Sequence, residues 1–219
     1  MKQTDIPNVY QKGKMLFTKN LVEGYSVPHD IIQYEQGMEL RYWDPYRSKL
    51  AAALSKSISG LAFREENRVL YLGASTGTTV SHISDISTKG VIFAVEFSPD
   101  VFAKLYVLAL KRHNIVPLLR DASRPEGYYH RITAVDFVYQ DIAQRRQLEI
   151  FKRNCKLFLK PGCRAALCVK SRSIDVAESP KNIMKAIKSE LKQDFVLVDF
   201  RKLEPYQKDH GFFVVQLKG

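Results

Sequence analysis

A chain of 219 residues, 45% hydrophobic and 26% charged, can bury one substantial core and is too evenly mixed to be disordered or low-complexity. Its 34 Lys and Arg against 23 Asp and Glu leave a formal net charge of +11, which points to a polyanionic partner. No apolar run approaches the ~18 residues of a membrane span and no signal-peptide pattern opens the chain, so neither a spanning nor a secreted protein is expected.

The three cysteines, Cys155, Cys163 and Cys168, form no C-x-x-C pair. They read as reduced core thiols of an intracellular protein, with Cys163 and Cys168 on opposite faces of one strand. No metal site is expected.

Residues 1 to about 43 lack helical periodicity. The β-prone runs Val9-Tyr10, Met15-Leu16-Phe17, Leu21-Val22 and Met38 to Trp43, punctuated by Gly13, Gly24, Pro28 and Gly37, predict a small antiparallel sheet. Asp44-Pro45 offers an N-cap and an N1 proline for a helix with Leu50, Ala53, Leu54 and Ile58 on one face, closed by Gly60. A small β domain over residues 1–50 and a larger domain over 51–219 are expected.

Val69 to Leu72 reads as a strand buried on both faces. Gly73 and Gly77 then allow a tight turn and close backbone approach. Thr78 and Thr79 are placed to cap a helix running to about Ile86, whose free N–H groups suit a carboxylate or phosphate. The turn lacks G-K-[ST], so a P-loop is not expected. A second apolar strand, Val91 to Val95, ends in Glu96, 23 residues after Gly73, where a carboxylate can accept hydrogen bonds from ribose hydroxyls. Strand, glycine turn, helix and strand-end acid together point to an adenosine-containing ligand.

The alternation continues. Ser98-Pro99-Asp100 opens a helix with Val101, Leu105, Leu108 and Ala109 inward, and Ile115 to Leu119 is a strand ending at Arg120-Asp121-Ala122. Thr133 to Tyr139 is the next strand, ending at Gln140-Asp141, and its helix carries Leu148, Phe151, Cys155 and Phe158. Pro161-Gly162 turns into a strand from Arg164 to Val169, ending at Lys170. A helix opened by Ser179-Pro180 turns Ile183, Ile187 and Leu191 inward. Phe195 to Phe200 and Phe212 to Leu217 are a final pair of strands, joined by a polar loop that holds His210. Repeated βα units predict a mostly parallel sheet with right-handed crossovers, and the last pair predicts an antiparallel edge strand. Gly73, Glu96, Asp121, Asp141 and Lys170 all fall at the carboxyl edge, where such sheets bind ligands.

Five segments carry a resemblance: Y-R-S-K-L-A-A-A (46–53), V-L-Y-L-G-A-S-T-G-T-T-V-S-H-I-S-D-I (69–86), F-A-V-E-F-S (93–98), D-I-A-Q (141–144) and L-E-P-Y-Q-K-D-H (203–210). The chain resembles the fibrillarin family, the S-adenosylmethionine-dependent RNA 2′-O-methyltransferases of box C/D guide ribonucleoproteins. The likeness implies a Rossmann-like methyltransferase fold, a seven-stranded sheet preceded by a small antiparallel β domain. The sequence departs from the family pattern at Gln140, where a small or acidic residue often precedes the Asp, and at Arg145-Arg146, where a Pro-Asp-like turn is common. The glycine-arginine-rich N-terminal tail of eukaryotic members does not occur here, so an archaeal-type, cytoplasmic chain is implied; a eukaryotic one would be nucleolar.

The resemblance also implies a site. Gly73, Ala74, Thr78 and Thr79 would hold the methionine part of S-adenosylmethionine, Glu96 the ribose, Phe97 one face of the adenine and Asp121-Ala122 its edge, with Asp141 and Gln144 near the methionine end. The family's Lys-Asp-Lys-His tetrad matches Lys49, Asp141, Lys170 and His210. A desolvated lysine can accept the proton of a weakly acidic hydroxyl, and Lys170 is the candidate base, with Asp141 orienting it and Lys49 and His210 positioning the hydroxyl.

Implied partners are a box C/D guide RNA, its target RNA, and a Nop-type scaffold protein bridging to a kink-turn-binding, ribosomal-protein-like subunit; no membrane partner is expected. Arg41, Arg47, Lys49, Arg120 and Arg172 are candidate RNA contacts. No RNA-recognition module is present, so target choice is expected to rest with a guide. Protein glutamine methylation and a non-catalytic basic RNA scaffold are the alternative functions.

Overall fold

The punctuated first forty residues form a five-stranded antiparallel sheet, and the alternating remainder forms a seven-stranded sheet flanked by helices. The computed structural model describes residues 1–218. In the small sheet, β1 (Lys2–Gln3), β2 (Val9–Lys12), β3 (Met15–Lys19), β4 (Ile32–Glu35) and β5 (Met38–Tyr42) lie in the order β1-β2-β3-β5-β4. The β4–β5 hairpin turns on Gln36 and Gly37, both at positive φ (52° and 74°), the conformation that matches strand twist in a two-residue loop. The expected run at Leu21-Val22 is not a strand: the chain turns there, and the Leu21 N–H donates to Asp85 Oδ1 at 3.0 Å. The short β1 and the polar β4 had no apolar run to announce them.

Helix α1 spans Lys49–Ser55 and begins later than Asp44-Pro45 suggests. The Asp44 carbonyl instead accepts the N–H groups of Arg47 and Ser48 in a turn, and Ser48 Oγ caps the helix by accepting from the Ala51 N–H at 3.3 Å. Leu50, Ala51, Ala52 and Ala53 are fully buried.

The large sheet comprises β6 (Arg68–Leu72), β7 (Val91–Glu96), β8 (Ile115–Leu119), β9 (Val135–Asp141), β10 (Leu159–Lys170), β11 (Phe195–Lys202) and β12 (His210–Leu217). Their order is β11-β12-β10-β9-β6-β7-β8. Strand β12 is antiparallel to both neighbours, yet it lies one place in from the edge, which β11 occupies. Burial explains this. Gly211 to Val215 are buried in succession and need partners on both sides, whereas β11 is mostly half-exposed.

Alternate residues of β6 face two cores. Val69 and Tyr71 pack with α1, α2 (Thr78–Ile86) and α3 (Pro99–Lys111), while Leu70 and Leu72 pack with α4 (Gln147–Phe158) and α5 (Pro180–Asp194). The first core also takes in Ile6, Val9, Leu16 and Trp43 from the small sheet and its exit, so the two sheets share apolar packing. Cys168 and Cys163 belong to opposite faces, as their odd spacing requires.

A buried ionic cluster joins the small sheet to α2 and α3. Asp85 on α2 accepts from Arg41 Nη1 at 2.7 Å, Arg112 Nη1 at 2.6 Å and the Thr18 hydroxyl at 2.6 Å. Arg41 also donates to Asp30 and to Ser81 Oγ, both at 2.8 Å. Two guanidinium groups thereby share one carboxylate, all with fully buried side chains, and the Arg112 Nε is left without a partner among the described residues.

Candidate active site

The Gly73 turn is built by close approach. Gly73 has φ +82°, and a Cβ there would sit 2.4 Å from the Asp141 carbonyl oxygen at the end of β9. The N–H groups of Gly73 and Ala74 both donate to the Val95 carbonyl at 3.0 Å, which seats the turn on the end of β7. Glu96 is 7% exposed, and its carboxylate accepts from the N–H of Ser75 (2.8 Å), Phe97 (2.9 Å) and Ser98 (2.9 Å). It therefore ties the glycine turn to the entry of α3.

These ends enclose a cavity of about 320 Å³ lined by Gly73, Glu96, Phe97, Asp121, Ala122, Asp141 and Gln144, with Ser75, Arg120, Ile142 and Ile150. The carboxylate of Glu96 suits a ribose diol and that of Asp121 the edge of a base, and Val95, Ala122, Ile142 and Ile150 make an apolar slot. Phe97, 66% exposed, stands at its rim. This donor set fits a purine nucleoside. Ser75 and Ile142 carried no signal of their own and come with the turns on either side of them.

Three further cofactor candidates follow Gly73 in the turn and at the start of α2. Ala74 is buried. Thr78 lines a separate cavity with Tyr25, Arg47 and Lys104, and the Thr79 hydroxyl donates to Ser48 Oγ at 3.0 Å. Neither threonine caps α2: they are its first two residues, and the cap is Gly77 at φ +92°, where a Cβ would meet Leu108 at 2.4 Å.

The tetrad residues converge from four elements. Lys49 opens α1, Asp141 closes β9, and Lys170 and His210 are register partners where β10 ends and β12 begins. Lys49 Nζ lies 3.0 Å from Asp141 Oδ2. Burial works to lower the Lys49 pKa, but the Asp141 carboxylate outweighs it and the net shift is upward, so Lys49 stays charged. His210 Nδ1–H donates to the Lys208 carbonyl at 2.7 Å, because a carbonyl can only accept. Nε2 is thus the unprotonated nitrogen of neutral His210. Burial, and the positive charges of Lys49 and Lys170, hold its pKa below the ordinary histidine value against the opposing Lys208 carbonyl and Asp141.

Lys170 differs from expectation. Its side chain is exposed, not desolvated, although its backbone is held by Gln147, whose side-chain amide meets the Lys170 N–H and carbonyl at 3.3 Å each. Gln147 is a supporting residue that the sequence did not single out.

Among the candidate RNA contacts, Arg41 is excluded because its side chain is fully buried in the Asp85 cluster. Arg47, Arg120 and Arg172 are exposed, and Arg172 pairs with Asp209 at 3.4 Å beside the tetrad loop.

A family model described as Fibrillarin matches residues 1–219. The chain is 42% identical over 222 residues to the fibrillarin-like rRNA/tRNA 2′-O-methyltransferase of Thermococcus gammatolerans, covering 99% of this chain and 98% of that one. It is similar to the fibrillarin of a solved fibrillarin/Nop5p complex, with 41% identity, TM-score 0.91, and coverage of 98% of this chain and 100% of that one. It is also similar to Aeropyrum pernix fibrillarin solved with natively bound S-adenosyl-L-methionine, at 37% identity and TM-score 0.86, covering 97% and 100% of the two chains. Because these likenesses run through both sheets and the whole carboxyl edge, the chain belongs to the fibrillarin family.

Proposed function

We propose that this chain methylates ribose 2′-hydroxyls of RNA with S-adenosylmethionine, at positions chosen by a box C/D guide RNA. The observation that carries this reading is Asp141, which lines the nucleoside cavity and also holds Lys49 within the tetrad. Binding and chemistry therefore meet at one carboxylate. The relatives' names and the S-adenosylmethionine bound to the Aeropyrum protein support the cofactor and reaction class. The fibrillarin/Nop5p complex supports a Nop-type scaffold partner; a guide RNA, a kink-turn-binding subunit and cytoplasmic assembly of an archaeal-type chain complete the proposal.

Bound S-adenosylmethionine supplies a methyl group already activated as a sulfonium. Glu96 would accept its ribose hydroxyls, Phe97 would cover the adenine, and Asp121 and Ala122 would border the base. Gln144 and Asp141 would face the methionine end. At the tetrad, charged Lys49, fixed by Asp141, steadies negative charge on the attacking oxygen. Nε2 of His210 takes the hydroxyl proton, since its lone pair is set free by the Lys208 hydrogen bond. Lys170, open to solvent, serves as a second cation toward the RNA strand.

The test is labelled-methyl transfer to a target RNA with guide RNA and scaffold protein each present or withheld. Transfer to the guided nucleotide only in the complete mixture is expected. Label recovered in protein and none in RNA would favour protein methylation instead.

A further inference from the structure

The side chain of Gln147, the first residue of α4, is fully buried and bridges two parts of the site that the sheet does not join. The β9–β10 ladder ends at the pair Asp141 and Cys168, so beyond it the ladder no longer holds the loop after Asp141 to the strand end at Lys170. Gln147 fills that gap. Its Oε1 accepts from the Lys170 N–H and its Nε2 donates to the Lys170 carbonyl, both at 3.3 Å. A side-chain amide thereby meets Lys170 as a neighbouring strand would, while β12 pairs with Lys170 from its other side through His210. The same Nε2 also donates to the Gln144 carbonyl at 2.9 Å.

A second buried amide fixes the first. Gln140, one of the departures from the family pattern, donates from Nε2 to the Gln147 carbonyl at 2.6 Å. Its own Oε1 has no partner among the described residues. A buried unpaired oxygen is unfavourable, and the bond to Gln147 offsets it. Asp141 and Gln144 line the nucleoside cavity, whereas Lys170 and His210 are the tetrad pair where β10 ends and β12 begins. One amide therefore holds the cavity's loop against the strand end that carries half of the tetrad.

We infer that Gln147 is a positioning residue for methyl transfer: it sets Lys170, and through the β10–β12 pair His210, in fixed register with the cofactor loop 141–144. This rests on the ribose-methylation reading and gives a role to a buried residue outside the cavity's lining.

The experiment compares single-turnover methyl transfer by the assembled complex, at saturating cofactor and target RNA, for wild type, Gln147→Met, Lys170→Met and the double variant. Gln147→Met nearly keeps the volume and deletes the amide; it is expected to slow transfer roughly 10- to 100-fold, the scale of a misplaced reacting group. Cofactor affinity is expected to fall only about 2- to 10-fold, the scale of one neutral hydrogen bond, and the half-saturating RNA concentration to stay at the wild-type value. In the Lys170→Met background the same change is expected to slow transfer less, because a side chain that Gln147 positions is already gone. Where Gln147→Met does not fold, Gln147→Glu serves: it keeps the size and an acceptor for the Lys170 N–H, loses the donated bonds, and is expected to slow transfer in the same sense. An unchanged rate in a folded Gln147 variant overturns the inference. So does a slowing that only matches the unfolded fraction seen by circular dichroism at the assay temperature, or one undiminished in the Lys170→Met background. If the wild-type complex labels no RNA, the methylation reading falls first and this inference with it.

Discussion

Glu96 and His210 show how a single side chain acquires a role from the groups it binds. The carboxylate of Glu96 already organises three backbone N–H groups, so it is fixed before any ribose arrives. Glu96→Gln removes one anionic oxygen and is expected to weaken S-adenosylmethionine binding by about 1–3 kcal/mol in calorimetry. Unchanged affinity in a folded variant would remove Glu96 from the cofactor site. For His210 the sign follows from its lowered pKa: the neutral form persists to a pH below the ordinary ~6.5 and is lost only as pH falls through the lowered value. Single-turnover methyl transfer should therefore be flat from neutral pH upward and decline on the acid side, with His210→Ala abolishing the plateau. A rate that keeps climbing toward the pKa of an ordinary lysine would return the proton to Lys170. Asp141 and Lys170 were legible in the sequence as strand ends, and Lys49 and His210 through their match to a family tetrad. The His210 tautomer was not, because a carbonyl two residues away in the folded loop decides it.

At the scale of elements, apolar runs and turn residues predicted all seven strands of the large sheet and the five helices that cover it, with the start of α1 set too early. Pattern reading failed where tertiary partners override local signals. Arg41 looks like surface charge in a β-prone run, yet it is sealed beneath α2 because Asp85 and Asp30 are there to pair with it. The antiparallel strand was foreseen but placed at the edge, since the unbroken burial of Gly211 to Val215 does not reveal which partner lies outside it. The Asp85 cluster is the polar joint between the sheets. Asp85→Asn leaves Arg41 and Arg112 buried without their shared anion, and a destabilisation of about 3–5 kcal/mol is expected in denaturant unfolding. A change below about 1 kcal/mol would show that the joint contributes little to holding the small sheet in place.

The whole molecule carries +11 spread over an enzyme-sized surface, with arginines and lysines around the tetrad face. That balance favours phosphate contacts without base readout, so the isolated chain should bind RNA weakly and without sequence choice. Its affinity should drop steeply between about 50 and 200 mM salt. Sequence-specific binding that survives the higher salt would contradict delegation to a guide. The glycine turn, the start of α1, the ends of β9 and β10 and the start of β12 then have one common task, which is to bring a ribose hydroxyl and a nucleoside-bound methyl to Asp141. The most direct test of that claim uses the reconstituted complex and two target RNAs that differ by one oxygen, ribose or 2′-deoxyribose at the guided nucleotide. The account predicts stoichiometric label on the ribose target and none on the deoxy target. Equal labelling of both would place the methyl on a base or a phosphate and contradict it.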